Sequence, residues 1–297
     1  MDQNGPGVFC HMEDIMKKIT LLDGSTGTAL WNFAEREGID KVPTWQYNIT
    51  HPELVEELHR KYIEAGSQII LTNTFGANGP AVKHYKGFDT AEVIRRGVEI
   101  AKKAAEGTDV KVSASFGPLT MLLEPYGDLE EDECAEIYDE MAAAAVSGGA
   151  DYINFETFMD VQMIRIAAQA AAKHGVPVGC SLSFERIGKT MMGNSVDDVL
   201  EELAPLNLYC VGLNCSLGPV DAIPVIQEYA QKTDIPIYFK PNAGLPVTGP
   251  DGKISNPYTA EQFAQEVKPA LDFVSYAGGC CGTDFEYIAQ LKKLIVS

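Results

Sequence analysis

Eight short β-rich runs recur along this chain, each separated from the next by an amphipathic stretch of helical period. The runs are Thr20–Leu22, Gln68–Thr72, Val110–Ser115, Tyr152–Phe155, Val178–Phe184, Val211–Leu213, Ile237–Phe239 and Phe273–Tyr276. Between the first two, the stretch Glu53–Ala65 puts Leu54, Val55, Leu58 and Tyr62 on one face, the spacing of a helix with one buried stripe. Thr50 and Glu53 have the spacing of a capping box, Pro52 falls in the first turn, and Gly66 is the stop. Asp160 opens a helix that Gly175 closes, and Ser195 opens one ending before Pro205. Eight strands alternating with helices, without internal sequence repeats, predict an α/β fold, a (β/α)8 TIM barrel. The 297 residues suit one such barrel, which typically takes about 250, and no linker interrupts the pattern. Residues 1–18 read as an N-terminal tail or short extension, and 19–297 as a single barrel domain.

In this architecture the active site gathers in the loops that follow the strands. Asp23-Gly24-Ser25-Thr26-Gly27-Thr28 follows the first strand, Thr72-Asn73-Thr74-Phe75 the second and Ser115-Phe116-Gly117-Pro118 the third. Glu156-Thr157 closes the fourth, Asn214-Cys215 the sixth, Pro241-Asn242-Ala243-Gly244 the seventh and Cys280-Cys281 the eighth. Adjacent residues on a strand point to opposite faces, so Cys280 and Cys281 cannot share a target in regular strand geometry. Gly278, Gly279 and Gly282 give the backbone the freedom to bend until both sulfurs converge. Strands six and eight lie two apart around the ring, which lets Cys215 meet the pair over the barrel mouth. Three convergent thiolates match a zinc site with one tetrahedral position open for substrate.

Other readings of the cysteines fit less well. Seven is an odd number, and with no secretory signal a disulfide framework is not expected. Cys10, Cys134, Cys180 and Cys210 read as small buried hydrophobes. Lys plus Arg total 23 against 42 for Asp plus Glu, a net charge of −19, which repels nucleic acid and anionic membranes. No apolar run approaches the roughly 18 residues of a membrane span. A soluble protein of the reducing cytoplasm is expected.

These strand-end blocks resemble the homocysteine S-methyltransferase family, over nearly the whole chain from about Ile19 onward. The most specific pieces are Gly-Leu-Asn-Cys at Gly212–Cys215 and Gly-Gly-Cys-Cys-Gly at Gly278–Gly282. Asp23-Gly24, Thr72–Phe75, Glu156-Thr157 and Pro241–Gly244 support them. Ser216-Leu217-Gly218-Pro219 is most similar to the homocysteine-binding module of cobalamin-dependent methionine synthase. The resemblance implies a zinc-dependent enzyme that methylates L-homocysteine to methionine, with Cys215, Cys280 and Cys281 holding Zn2+ and Asn242 able to take the fourth position when homocysteine is absent. The ligand chemistry agrees. Three cysteinates over-neutralise Zn2+, so the metal activates water poorly but leaves a bound thiolate, the nucleophilic form of a thiol, electron-rich.

Homocysteine presents an ammonium and a carboxylate besides its sulfur. Glu156 is the candidate for the ammonium, through a charge-assisted hydrogen bond. Asp23 either assists it or fixes its own loop. The backbone amides of Gly24 and Ser25 could cradle the carboxylate. The histidines lie on helices or in the tail, and none is assigned to zinc. For the methyl donor, the chain contains no Asp-x-His-x-x-Gly segment of the kind that ligates a cobalamin. The similarity to methionine synthase therefore favours a methylcorrinoid on a separate protein. The alternative is a small onium donor such as S-methylmethionine, S-adenosylmethionine or a betaine, caged by aromatics from Trp45, Tyr47, Phe75 and Tyr126. A non-catalytic zinc clamp within a corrinoid complex is a further alternative, although structural zinc normally has four protein ligands. Lys240 could serve as an aldolase-type Schiff-base lysine, but it adjoins the Pro241-Asn242 block and is expected to point outward or pair with an acid.

Overall fold

The computed structural model describes residues 18–248 and 254–296, so Cys10 and all of the expected tail except Lys18 lie outside the described residues. The elements run β1 (Thr20–Leu21), α1 (Thr26–Arg36), α2 (Tyr47–Thr50), α3 (Pro52–Ala65), β2 (Ile69–Leu71), α4 (Gly79–Val82), α5 (Thr90–Ala104), β3 (Lys111–Phe116) and α6 (Glu131–Ser147). They continue with β4 (Tyr152–Phe158), α7 (Val161–Ala172), β5 (Val178–Leu182), α8 (Val196–Leu203), β6 (Leu208–Asn214), α9 (Pro219–Lys232) and β7 (Ile237–Lys240). A hairpin of β8 (Val247–Thr248) and β9 (Ile254–Ser255) precedes α10 (Ala260–Val267), β10 (Tyr276–Ala277) and α11 (Phe285–Val296).

Eight strands pair in the order β1-β10-β7-β6-β5-β4-β3-β2, every ladder parallel. Between the two ends of that order, the Gln68 amide donates to the Leu21 carbonyl (2.7 Å) and the Leu21 amide donates to Gln68 Oε1 (3.0 Å). The ring is nearly closed, as a (β/α)8 barrel requires. A large apolar core lies where the helices pack on the outside of the strands. A second, smaller cluster of Leu22, Ile69, Cys210 and Tyr238 has Tyr152, Tyr209 and Tyr276 packed against it. Those three tyrosines stand at or next to the first residues of β4, β6 and β10, with ring centroids 4.9 and 5.6 Å apart. They fill the N-terminal end of the ring and leave chemistry to the other end.

Most local signals act as expected. Gly66 ends α3 in the left-handed conformation (φ 110°) and Asp160 caps α7. Ser195 forms a capping box with Asp198 at α8, which stops at Leu203. The expected box at Thr50 is absent. The segment before it is already helical, so the Thr50 hydroxyl donates back to the Gln46 carbonyl (3.1 Å), and His51 becomes the N-cap of α3 without a side-chain bond. The last strand lies later than Phe273–Tyr276, at Tyr276–Ala277. Strand β4 runs past Phe155, with a register shift between Phe155 and Phe158. Glu156 and Thr157 occupy that irregularity, the kind of bulge that re-aims side chains beside active sites.

Candidate metal and amino-acid site

Strand β7 lies between β6 and β10, and its end is the platform on which the cysteines meet. The Cys215 amide donates to the Lys240 carbonyl (3.0 Å) and the Cys280 amide to the Pro241 carbonyl (2.8 Å). The Cys281 amide donates to Asn242 Oδ1 (3.1 Å). All three cysteine backbones are thus registered against Lys240–Asn242. The turn that brings Cys280 and Cys281 to one side needs its glycines. Gly282 follows in the left-handed region (φ 81°), and a Cβ on Gly279 would lie 2.4 Å from Thr283 Oγ1.

Among the described residues, Cys215, Cys280 and Cys281 form a metal-competent group whose sulfurs all lie within 4.8 Å of one another. Cys215 Sγ and Cys281 Sγ are 3.7 Å apart, close to the roughly 3.8 Å that a tetrahedral Zn–S distance near 2.3 Å implies. Crowding and burial hold these thiols in the protonated form. For Cys215 the hydrogen bond with Cys280 lowers the pKa, but the bond with Cys281, burial and the Cys281 charge push it up to about 11. Cys281 is pushed up to about 12: its bond with Cys215 lowers it, while the bond with Cys280, the Cys280 charge and burial raise it. Cys280 is also raised, first through its bond with Cys215. Three crowded thiols hold their protons at neutral pH, and a bound divalent cation would let them ionise together. Zinc fits these residues. Cys134, Cys180 and Cys210 are buried apart from this cluster.

The sulfurs border a cavity of about 440 Å³ at the C-terminal ends of the strands, lined also by Gly24, Ser25, Glu156, Asn214 and Lys240. Glu156 is nearly buried (6% exposed), and its carboxylate accepts from Ser115 Oγ (2.5 Å) and Tyr238 Oη (3.1 Å). Both donors are neutral and orient the carboxylate, whose charge is also felt by the buried Lys240 ammonium. Gly24 and Ser25 lead into α1, where Ser25 Oγ caps the helix by accepting from the Thr28 amide (3.3 Å). The Ser25 amide donates to Thr283 Oγ1 (3.3 Å), and Tyr62 Oη donates to the Ser25 carbonyl (2.8 Å). Thr26 and Gly27, the first two residues of α1, also line the cavity. First-turn amides have no intrahelical acceptor and favour anions.

Two sequence candidates sit behind the cavity wall. Asp23 is fully buried: Oδ1 is 2.6 Å from Lys240 Nζ, and Oδ2 accepts from the Leu71 amide (2.6 Å). Burial raises its carboxyl above the usual range, against the opposing pull of Lys240 and the Leu71 amide. Burial alone would lower Lys240, but the charges of Asp23 and Glu156 outweigh it and hold the ammonium above its ordinary value. Lys240 therefore points inward as a charged partner of an acid, which does not suit an amine nucleophile. Asn242, 5% exposed, gives Oδ1 to the Cys281 amide as described. Of the aromatics considered for a cation, Trp45 and Phe75 line the cavity. Tyr47 is buried with its hydroxyl donating to the Asp40 carbonyl, and Tyr126 is 74% exposed. Ser115, Tyr238, Asn214 and Thr283 hold the candidate groups in place, and none of them was assigned a chemical role from the sequence. Their partners are up to 258 residues away, and only Ser115 and Asn214 were hinted at, by their positions at the ends of β3 and β6.

The fold and site together define a barrel with a metal-competent cluster of three thiols beside a carboxylate at its mouth. The chain belongs to the homocysteine S-methyltransferase family, which it matches over residues 20–295. It is 30% identical over 308 residues to methionine synthase of Mycobacterium leprae and 30% identical over 310 residues to that of Mycobacterium tuberculosis, covering 96% of this chain in both cases. It spans about a quarter of the length of those relatives (25%). The homocysteine methyltransferase MmuM from Escherichia coli in its metallated form shares the fold, with a TM-score of 0.76 at 23% identity over 93% of this chain and 96% of that one. Among the described residues, no helix is long and apolar enough to cross a membrane.

Proposed function

We propose that this protein methylates L-homocysteine to methionine at a zinc site formed by Cys215, Cys280 and Cys281, with a methylcorrinoid on another protein as donor. The observation that carries this reading is the convergence of three sulfurs within 4.8 Å on a cavity that Glu156 also lines. Zinc held there would keep the substrate sulfur as a thiolate near neutral pH. Glu156 receives the substrate ammonium, oriented by Ser115 and Tyr238. The Gly24 amide and the first-turn amides of Thr26 and Gly27 receive the carboxylate, the Ser25 amide being engaged by Thr283 Oγ1. Asp23 serves this arrangement indirectly, by holding Lys240 beneath the site. Asn242 is retained as the fourth ligand in the absence of substrate, since its Oδ1 has a second lone pair beyond the one given to the Cys281 amide.

A protein-borne donor is supported by the similarity to methionine synthase and by the rim of the barrel. Leu122, Tyr126, Ile187, Met191 and Leu245 are 36–75% exposed in loops that follow β3, β5 and β7. On a chain of net charge −19, apolar side chains gathered around a mouth suit a docking partner. Trp45 and Phe75 in the cavity favour the second reading, a small onium donor. Methionine formation from L-homocysteine should be compared with a methylated corrinoid protein, free methylcobalamin, S-methylmethionine, S-adenosylmethionine and glycine betaine. Turnover with the corrinoid protein is expected to be the more salt-sensitive of the two corrinoid reactions, because charge contacts between proteins are screened beyond about 8 Å at physiological ionic strength. Efficient turnover of an onium donor, with no response to either corrinoid, would reverse the choice.

Glu156→Gln preserves the size of the side chain and removes its charge. Zinc content is expected to remain at the wild-type level while homocysteine binding weakens by about 1.5–3 kcal/mol, the contribution of a charged hydrogen bond. A simple thiol without the amino-acid group should be nearly indifferent to the change. Equal losses for both acceptors would remove Glu156 from the ammonium role.

A further inference from the structure

One side chain joins the two halves of this site. Asn214, the last residue of β6, is 1% exposed and borders the cavity. Its Oδ1 accepts from the Thr157 amide (2.8 Å) and from Ser181 Oγ (2.7 Å). Its Nδ2 donates to Thr157 Oγ1 (2.7 Å) and toward Cys280 Sγ (3.9 Å). A backbone N–H can only donate, so the atom facing Thr157 N must be the carboxamide oxygen. The NH2 group is therefore the one directed at Cys280.

The partner on the other side is under constraint. Thr157 adopts φ 63°, in the left-handed region that β-branched residues seldom enter, and Asn214 grips both its amide and its hydroxyl. Thr157 directly follows Glu156 in the irregular part of β4. The same carboxamide thus reaches the backbone next to the carboxylate and the sulfur of one cysteine.

We infer that Asn214 is a positioning residue for the metal centre: its N–H···S bond orients the Cys280 thiolate and spreads its charge, and its grip on Thr157 sets Glu156 in register with that sulfur. The inference rests on the zinc-thiolate reading given above. Outer partners of this kind fix ligand orientation, and their loss typically lowers metal affinity by about 10–100-fold. Aspartate at this position would place a carboxylate against a thiolate cluster, whereas asparagine supplies a donor without charge.

The test uses the purified full chain loaded with cobalt(II), whose sulfur-to-metal charge-transfer band reports on thiolate ligands. Asn214→Ala is expected to move that band to longer wavelength, since a thiolate relieved of its hydrogen bond gives up electron density more easily. Zinc affinity, measured by competition with a chelator, should fall about 10–100-fold. Asn214→Ser, too short to reach the sulfur, serves as the second variant if the alanine protein does not accumulate. Combining either change with Thr157→Gly separates the two functions, because glycine adopts a positive φ without strain. If Asn214 acts on Cys280, the double variant keeps the shifted band and the weakened affinity. Recovery of both in the double variant would reduce Asn214 to a brace for Thr157 and overturn the inference. So would a single-variant spectrum that superimposes on that of the wild type. A wild-type protein with no thiolate-to-cobalt band would instead refute the three-thiolate site itself.

Discussion

Cys280→Ala and Cys281→Ala should each abolish methionine formation and weaken zinc binding by more than the roughly 10–100-fold that loss of an outer partner costs. Cys215→Ala should behave in the same way. Each change leaves two sulfurs and removes one of three charges that neutralise the cation. The fold should survive, because these residues sit in loops after β6 and β10 while the cores lie between strands and helices and inside the ring. This differs from a zinc finger, in which metal binding is itself the folding free energy. Thermal midpoints of the apo variants are therefore expected within roughly 5 °C of apo wild type, the size of shift that a few kcal/mol produces in a domain of this length. Loading the wild type should release up to three protons into a weakly buffered indicator solution, since Cys215 and Cys281 are held at about 11 and 12 without a cation and Cys280 is raised as well. Stoichiometric zinc in the Cys281→Ala protein would refute the assignment.

The barrel was legible because its signals are local. Alternating β-rich and amphipathic runs, caps at Asp160 and Ser195, and the stop at Gly66 all act within a few residues of themselves. The cysteine cluster was legible for a different reason: the positions of Cys215 and Cys280-Cys281 after strands two apart on a ring leave little freedom in where they meet. What surrounds them was not. The Glu156 carboxylate is held by Ser115 and Tyr238, 41 and 82 residues away, and no periodicity encodes such a pairing. The bulge in β4 depends on register against β5. Thr50 has the residue type and spacing of an N-cap, but α2 ends on it, and a hydroxyl at the end of a helical turn finds the carbonyl four residues back. The β8–β9 hairpin carries no strong alternation and was not foreseen. Asp23 shows the limit most clearly, since its two possible roles could be separated only once Lys240, 217 residues away, was seen beside it.

That pair should dominate stability as the cysteines dominate chemistry. Lys240 is 4% and Asp23 0% exposed at the side chain, so neither charge can be rescued by water if its partner is lost. Lys240→Met keeps the aliphatic stem and strands the carboxylate, with an expected cost of about 3–5 kcal/mol near neutral pH. Burial already raises the Asp23 pKa in the intact pair, and removing the ammonium that pulls it down will raise it further. Between the unfolded carboxyl value near 3.9 and that raised folded value, the folded variant holds a proton that the unfolded chain has released. Its penalty must therefore grow as pH rises through this window and be smallest near or below about pH 4. Asp23→Asn instead leaves the ammonium with the Glu156 charge against burial but without its hydrogen-bonded partner, so its pKa falls and its penalty must grow as pH falls. Urea-unfolding midpoints followed across pH should separate the two by the sign of their slopes. The double variant Asp23→Asn/Lys240→Met buries neither charge of the pair and is expected to be more stable than either single variant, a coupling that a double-mutant cycle reads directly. Simple additivity would mean that the two groups act independently. Coupling as described would mean that the platform whose Lys240 carbonyl anchors Cys215 is held in place by a buried ion pair reaching across to the loop after β1.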